Sequence, residues 1–141
     1  SHNNDFLNHI PRSHSERDKK IFKLLSKDIL LGENKFKSIE ARKRIYKEVT
    51  GKDSNFHKYN VLDFEKPSNT IPAHLYKDGL RHIHPDPDQE RTITPREAAR
   101  LQSFDDDFEF IGPKTQQYKM IGNSVPPELS YKIAKKIVEL Y

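Results

Sequence analysis

The chain of 141 residues contains no cysteine. That absence excludes a disulfide framework, a cysteine-ligated zinc and a thiol nucleophile within these residues. Long apolar runs are missing as well. No stretch approaches the roughly 18–20 residues needed to span a bilayer, and no signal peptide is visible, so the expectation is a soluble cytoplasmic protein with no membrane partner. Glycine is sparse, and Gly32, Gly51, Gly79, Gly112 and Gly122 are too dispersed to cradle a phosphate. No Ser-His-Asp arrangement suggests a nucleophile, and internal repeats and low-complexity tracts are absent. Apolar residues make up only 33% of the chain and charged residues another 33%. A small core beneath a wet surface follows, in one domain of ordinary size.

What is present is unevenly placed charge. Residues 1–60 hold 14 Lys/Arg against 8 Asp/Glu, a balance of +6. Residues 61–141 hold 11 against 13, a balance of −2. A basic first half suits a polyanion, because lysine and arginine release counterions from phosphate; it equally suits a plain solvated surface.

The chain reads as three regions: a polar lead-in over 1–14, a middle region over 15–90 and a C-terminal segment over 91–141. Ser15 has the character of an N-cap, with Glu16 and Asp18 in the first turn. Ile21, Leu24, Leu25 and Leu31 recur at helical spacing, and Gly32 is the expected stop. Ser38 opens a second helix carrying Ile39, Arg42, Ile45, Tyr46 and Val49, with Gly51 as a left-handed cap. The loop between these helices is longer than the tight turn of a helix-turn-helix DNA binder.

From Phe56 to Ile93 the texture changes. Val61 to Phe64, Thr70-Ile71 and Leu80 to Ile83 are short β-prone runs, broken by Pro67, Pro72, Gly79, Pro85 and Pro87. Thr94 then caps a helix with Pro95 at its first position and Glu97 completing a capping box, expected to run to about Ser103. Phe108, Phe110 and Ile111 are expected to fold back onto apolar surface. A last helix begins near Pro126 or Pro127, with Leu129, Ile133, Ile137 and Leu140 as its stripe, flanked by Ala134, Val138 and Tyr141. The expected fold class is α+β, a small mixed domain of short strands and helices.

Two blocks stand out. The first is Arg-Thr-Ile-Thr-Pro-Arg-Glu-Ala-Ala-Arg-Leu-Gln-Ser-Phe, residues 91–104; the second is Gln-Gln-Tyr-Lys-Met-Ile-Gly-Asn-Ser-Val-Pro-Pro, residues 116–127. Arg96 and Arg100, four apart, share a helix face from which guanidinium forks can tie neighbouring loops. Gly122 permits a positive φ and close backbone approach, and Asn123 and Ser124 place short polar groups at a helix entrance suited to an anion. On residues alone, that segment is a turn and an N-cap.

The two blocks closely resemble, in order and at plausible spacing, the last two characteristic blocks of the DNA (cytosine-5)-methyltransferases. The resemblance implies that Arg96, Arg100 and Glu97 organise a target-recognition region structurally. It implies that Asn123, Ser124 and Val125 match contacts to S-adenosylmethionine. Pro67-Ser68-Asn69-Thr70-Ile71 resembles a short signature near the end of the family's recognition region, with Thr70 facing double-stranded DNA. Lys77 and Arg81 would then supply phosphate contacts, which position the protein without reading bases. The final helix would belong to the Rossmann-like methyltransferase domain of the intact enzyme.

Family chemistry uses a cysteine thiolate on a flipped cytosine, a glutamate assisting at N3, and methyl transfer to C5. No Pro-Cys, Phe-x-Gly-x-Gly, Glu-Asn-Val or Gln-x-Arg-x-Arg segment is present here. The expectation is a C-terminal, DNA-recognising part that holds no catalytic residue and is inactive alone. Its partner is a catalytic N-terminal half, supplied by the same enzyme or by a split subunit. Excision from a longer chain is favoured over a natural split. The helix stripe is expected to find cover within the chain or in a second copy. The cellular setting implied is a bacterial or phage-like cytoplasm, on or near DNA. A free-standing DNA-binding or regulatory module of the same descent is the alternative. A third reading, a metal hydrolase built on His74, His82, His84, Asp86 and Asp88, is weakened by the adjacent prolines and the lack of a third firmly placed ligand.

Overall fold

The computed structural model describes residues 6–54 and 59–140. The texture change placed at Phe56, the flanking Tyr141 and the first five residues of the lead-in lie outside the described residues. Five helices are present among those described: α1 (Glu16–Leu30), α2 (Ile39–Thr50), α3 (Pro95–Leu101), α4 (Lys114–Asn123) and α5 (Pro127–Val138). They distribute over two compact units. A central unit comprises Pro11–Asn69 and Gly79–Ile93; a C-terminal unit comprises Ser1–Ile10, Thr70–Asp78 and Thr94–Tyr141.

In the central unit the sequence signals act as expected at both helix starts. The Ser15 hydroxyl accepts from the Asp18 amide, and the Ser38 hydroxyl accepts from the Ala41 amide, each satisfying an N–H that the helix leaves orphaned. Gly51 closes α2 at φ 70°, a left-handed conformation that costs glycine no Cβ clash. The helices pack through Ile21, Phe22, Leu25 and Ile45, with Tyr59 and Ile83 completing the core. Leu24, Leu31 and Ile39 belonged to the expected stripes but are exposed, while Phe22, outside the expected stripe, is buried beside Ile21. Buried Asp28 accepts from the Lys35 and Phe36 amides and so fixes the α1–α2 loop.

The β-prone runs do not become strands among the described residues. They leave two isolated bridges, Val61 to Ile83 and Ile83 to Thr92. Ile83 is the meeting point: its amide donates to Asn60 O at 3.0 Å, and its carbonyl accepts from the Leu62 amide at 3.0 Å. Pro85 and Pro87 follow at once, and a residue without an N–H cannot extend a ladder. Thr70-Ile71 forms no bridge. The mixed fold expected from sequence is therefore a helical one with paired loops.

The C-terminal unit is built on α3. Thr94 and Glu97 form the expected capping box, with the Thr94 amide donating to Glu97 Oε2 at 2.7 Å and the Glu97 amide to Thr94 Oγ1 at 3.2 Å. The helix ends at Leu101, before the expected Ser103, whose φ of 62° cannot continue it. α4, which packs on α3, has no counterpart among the sequence expectations. Phe110 is buried as expected, but Phe108 and Ile111 are exposed. α5 begins at Pro127 as its sequence suggests, yet none of its residues is buried. The expected cover for its stripe within the chain is absent among the described residues. Among the described residues no helix is long and apolar enough to cross a membrane.

Candidate functional site

Arg96 organises the C-terminal unit. Its side chain has no solvent exposure. Nε donates to Leu7 O at 2.8 Å, Nη1 to Asp105 O at 2.9 Å, and Nη2 to Phe108 O at 2.5 Å and Asn8 Oδ1 at 3.3 Å. One guanidinium thus gathers the lead-in and the loop after α3, a task that its five donors in a rigid fork suit. Asn8 is the residue that sequence reasoning missed. Its carboxamide donates to Phe110 O at 2.8 Å and accepts from the Phe110 amide at 2.9 Å, as a strand partner would. The rings of Phe104, Phe108 and Phe110 cluster above that loop with centroids 5.0–5.1 Å apart.

Arg100 lies on the exposed side of α3 and grips Asp106 through two bonds, Nε to Oδ1 at 2.7 Å and Nη2 to Oδ2 at 2.8 Å. The hydrogen bond from Arg100 holds the Asp106 carboxyl below its ordinary range. The guanidinium also lies 4.5 Å over the Phe6 ring. Glu97 is engaged in the capping box, where its carboxylate faces the helix N-terminus.

α4 delivers the segment Asn123-Ser124-Val125. Tyr118 and Ile121 are its buried residues, and Gln102 Nε2 donates to Ile121 O at 3.2 Å across to α3. Gly122 lies inside the last turn of α4, not at a positive φ. Glycine is needed there for space: a Cβ would stand 2.5 Å from Pro72 O and 3.1 Å from Ala73 Cα. The close backbone approach expected from sequence is present, and the positive φ is not.

Asn123 ends α4 and Ser124 caps it, with Ser124 Oγ donating to Ile121 O at 2.6 Å. The segment therefore leaves one helix before it enters the next, which corrects the helix-entrance placement. An anion pocket at the start of α5 is also short of donors. Pro126 and Pro127 have no N–H, and the Glu128 amide is taken by Ser103 Oγ at 3.1 Å. What the segment does offer is exposure. Asn123 and Val125 are exposed, and among the described residues neither the Asn123 carboxamide nor the Val125 N–H is engaged in a hydrogen bond. Such groups suit a polar ligand approaching from outside the unit.

The close packing at Gly122 brings the turn after Thr70 against the end of α4. Thr70 is exposed and precedes buried Ile71. The turn is held by the Leu75 amide on Pro72 O at 3.0 Å and the Lys77 amide on His74 O at 2.9 Å. Thr70, Lys77 and Asn123-Ser124-Val125 thus share the C-terminal unit, whereas exposed Arg81 belongs to the central one.

The histidines do not converge on a metal. His84 Nδ1 accepts from the Asp86 amide at 3.2 Å, and Asp86 Oδ1 accepts from the Asp88 amide at 2.9 Å, so both act as local turn caps. No group of three or more His, Asp or Glu suited to an ion occurs among the described residues. His14, also outside the sequence expectations, accepts the Thr92 amide on Nε2 at 3.2 Å in the central unit. Burial lowers its pKa, in keeping with an acceptor that has to stay neutral.

A family model described as C-5 cytosine-specific DNA methylase matches residues 1–139. The chain belongs to that family. Among curated relatives, a type II methyltransferase of Bacillus paralicheniformis is 35% identical over 136 residues, covering 96% of this chain and 30% of that protein. A putative type II methyltransferase of Oceanobacillus iheyensis is 49% identical over 78 residues, covering 55% of this chain and 16% of its own length. DNA (cytosine-5)-methyltransferase 3 of Arabidopsis thaliana is 37% identical over 90 residues, covering 62% of this chain and 6% of that protein. The chain therefore spans less than a third of the length of the methylases it matches. No solved structure matches it.

Proposed function

We propose that this chain supplies the target-recognition and C-terminal part of a DNA cytosine-5 methyltransferase. The observation that carries the reading is the pair of exposed residues Asn123 and Val125, with the Asn123 carboxamide and the Val125 N–H unengaged, leading directly into the uncovered helix α5. Bound S-adenosylmethionine would supply the methyl group that passes to cytosine C5. In this reading Asn123 and the Val125 amide bind polar groups of that cofactor, and Ser124 fixes the path of the chain by its bond to Ile121 O. Together they form one wall of a pocket. The exposed face of α5 docks on the Rossmann-like domain that supplies the others.

Thr70 faces DNA, and Lys77 and Arg81 contact its phosphates. Arg96, Arg100 and Glu97 hold the recognition loops through the bonds described above. With no cysteine among its residues, the chain lacks the nucleophile for C6 and is inactive alone. Its biological role would be that of a type II methyltransferase, the class named for several relatives.

Complementation tests this. The chain is mixed with a separately folded segment carrying the Pro-Cys half, and tritiated methyl transfer to duplex cytosine is measured. Transfer that requires both chains, and that falls when Asn123→Ala raises the KM for S-adenosylmethionine, is the expected outcome. Tight, sequence-selective duplex binding by this chain, with no transfer in the mixture, would favour the free-standing regulatory module instead.

A further inference from the structure

The Tyr76 ring meets two lysines that are distant from each other in sequence. Lys77 Nζ lies 5.9 Å from the centre of the Tyr76 ring, and Lys119 Nζ, from α4, lies 5.9 Å from the same centre. The two ammonium groups are therefore no farther apart than twice that distance. Both lysines are exposed, and neither forms an ion pair with a carboxylate among the described residues. Seven other lysines, Lys19, Lys23, Lys35, Lys47, Lys66, Lys132 and Lys136, each hold an acid.

The pair is held by the fold. Leu75 is buried, the turn from Pro72 to Lys77 is closed by two backbone bonds, and Gly122 lets that turn lie directly on α4. Two like charges set over one ring, neither of them paired with an acid, form a local positive potential. The π face of the ring favours the cations but cannot neutralise them. An anion can. Ammonium groups act as point charges for phosphate and need no fixed fork geometry.

The geometry points to Lys77, Tyr76 and Lys119 as a two-lysine clamp on the sugar-phosphate backbone of duplex DNA. Lys119 and Tyr76 thereby join the contacts of the recognition part, and the inference rests on the DNA-binding reading proposed above. The clamp positions the protein and reads no base, so its contribution is the same on every sequence. Each lysine that releases a counterion adds about 0.9 to the slope of log affinity against log salt.

The test is fluorescence anisotropy with labelled duplexes of two unrelated sequences, across a salt series. Lys77→Gln/Lys119→Gln is expected to lower affinity at least about fivefold on both duplexes and to reduce the salt slope by about two units. Lys77→Arg/Lys119→Arg, which restores charge, is expected to restore the slope. Circular dichroism melting checks that the variants stay folded, as substitutions at exposed positions permit. Wild-type binding with an unchanged slope in the Gln variant overturns the clamp and leaves the DNA reading intact. Failure of the wild-type chain to bind duplex at low salt overturns both.

Discussion

A guanidinium without solvent exposure has to exchange water for fixed acceptors, and Arg96 finds four, three of them backbone carbonyls. Removing it leaves Leu7 O, Asp105 O and Phe108 O without that donor, at about 1–3 kcal/mol for each acceptor left unsatisfied. Arg96→Ala is expected to destabilise the chain by about 3 kcal/mol or more, read as a fall in the urea midpoint at unchanged slope. Arg96→Lys should recover little, because an ammonium cannot reach three divergent carbonyls as a planar fork does. A loss within about 0.5 kcal/mol for either variant would show that the loop after α3 is held by other means. Arg100, gripping its partner in solvent, should barely move the same midpoint. At this scale the sequence was readable where the chemistry is local. The Thr94–Glu97 box lies within one turn and was plain from four residues. Asn8 could not be found that way: its partner Phe110 is 102 positions away, and nothing in a short polar lead-in marks such a clamp.

The elements show the same division. α1 and α2 announce themselves through caps and apolar period, and α5 through its opening prolines and stripe, whereas α4 buries only Tyr118 and Ile121 and ends on Gly-Asn, a pair that reads as a turn. The β-prone runs failed for the opposite reason: their composition is right, but proline interrupts them before a ladder can form. Gly122 turns the unexpected helix into a testable element. Alanine is favoured over glycine within a helix by about 1 kcal/mol, so propensity alone predicts that Gly122→Ala stabilises. The added Cβ would instead meet Pro72 O at 2.5 Å, and a backbone carbonyl cannot swing aside as a side chain can. The clash wins, and a net loss of about 1–3 kcal/mol is expected. The same variant should weaken duplex binding, because it pushes the Lys77 turn away from Lys119. Equal or greater urea stability would mean that the turn from Pro72 yields at little cost.

On the scale of the whole molecule the telling feature is the face that the chain leaves bare. Leu129, Ile133 and Ile137 are each about half exposed, and Val138 and Leu140 more so. An apolar stripe of that kind on a folded chain suits the docking proposed for α5 above. Its charged flank, with Lys132 on Glu128 and Lys136 on Glu139, stays in water. The prediction separates stability from docking. Ile133→Lys/Ile137→Lys alters no buried residue of this chain, so its urea stability should change by no more than about 0.5 kcal/mol. Burial of each isoleucine in a complex contributes about 1.5–3 kcal/mol, so the same pair should weaken association with the Pro-Cys segment by about 3 kcal/mol or more. That is upwards of about a hundredfold in the dissociation constant, which titration of methyl-transfer activity against segment concentration will read. Sedimentation of the chain alone distinguishes a second copy as the occupant: there the charged pair would abolish a dimer instead. A large stability loss in the isolated monomer would show that α5 packs on its own chain and that the bare face is no docking surface at all.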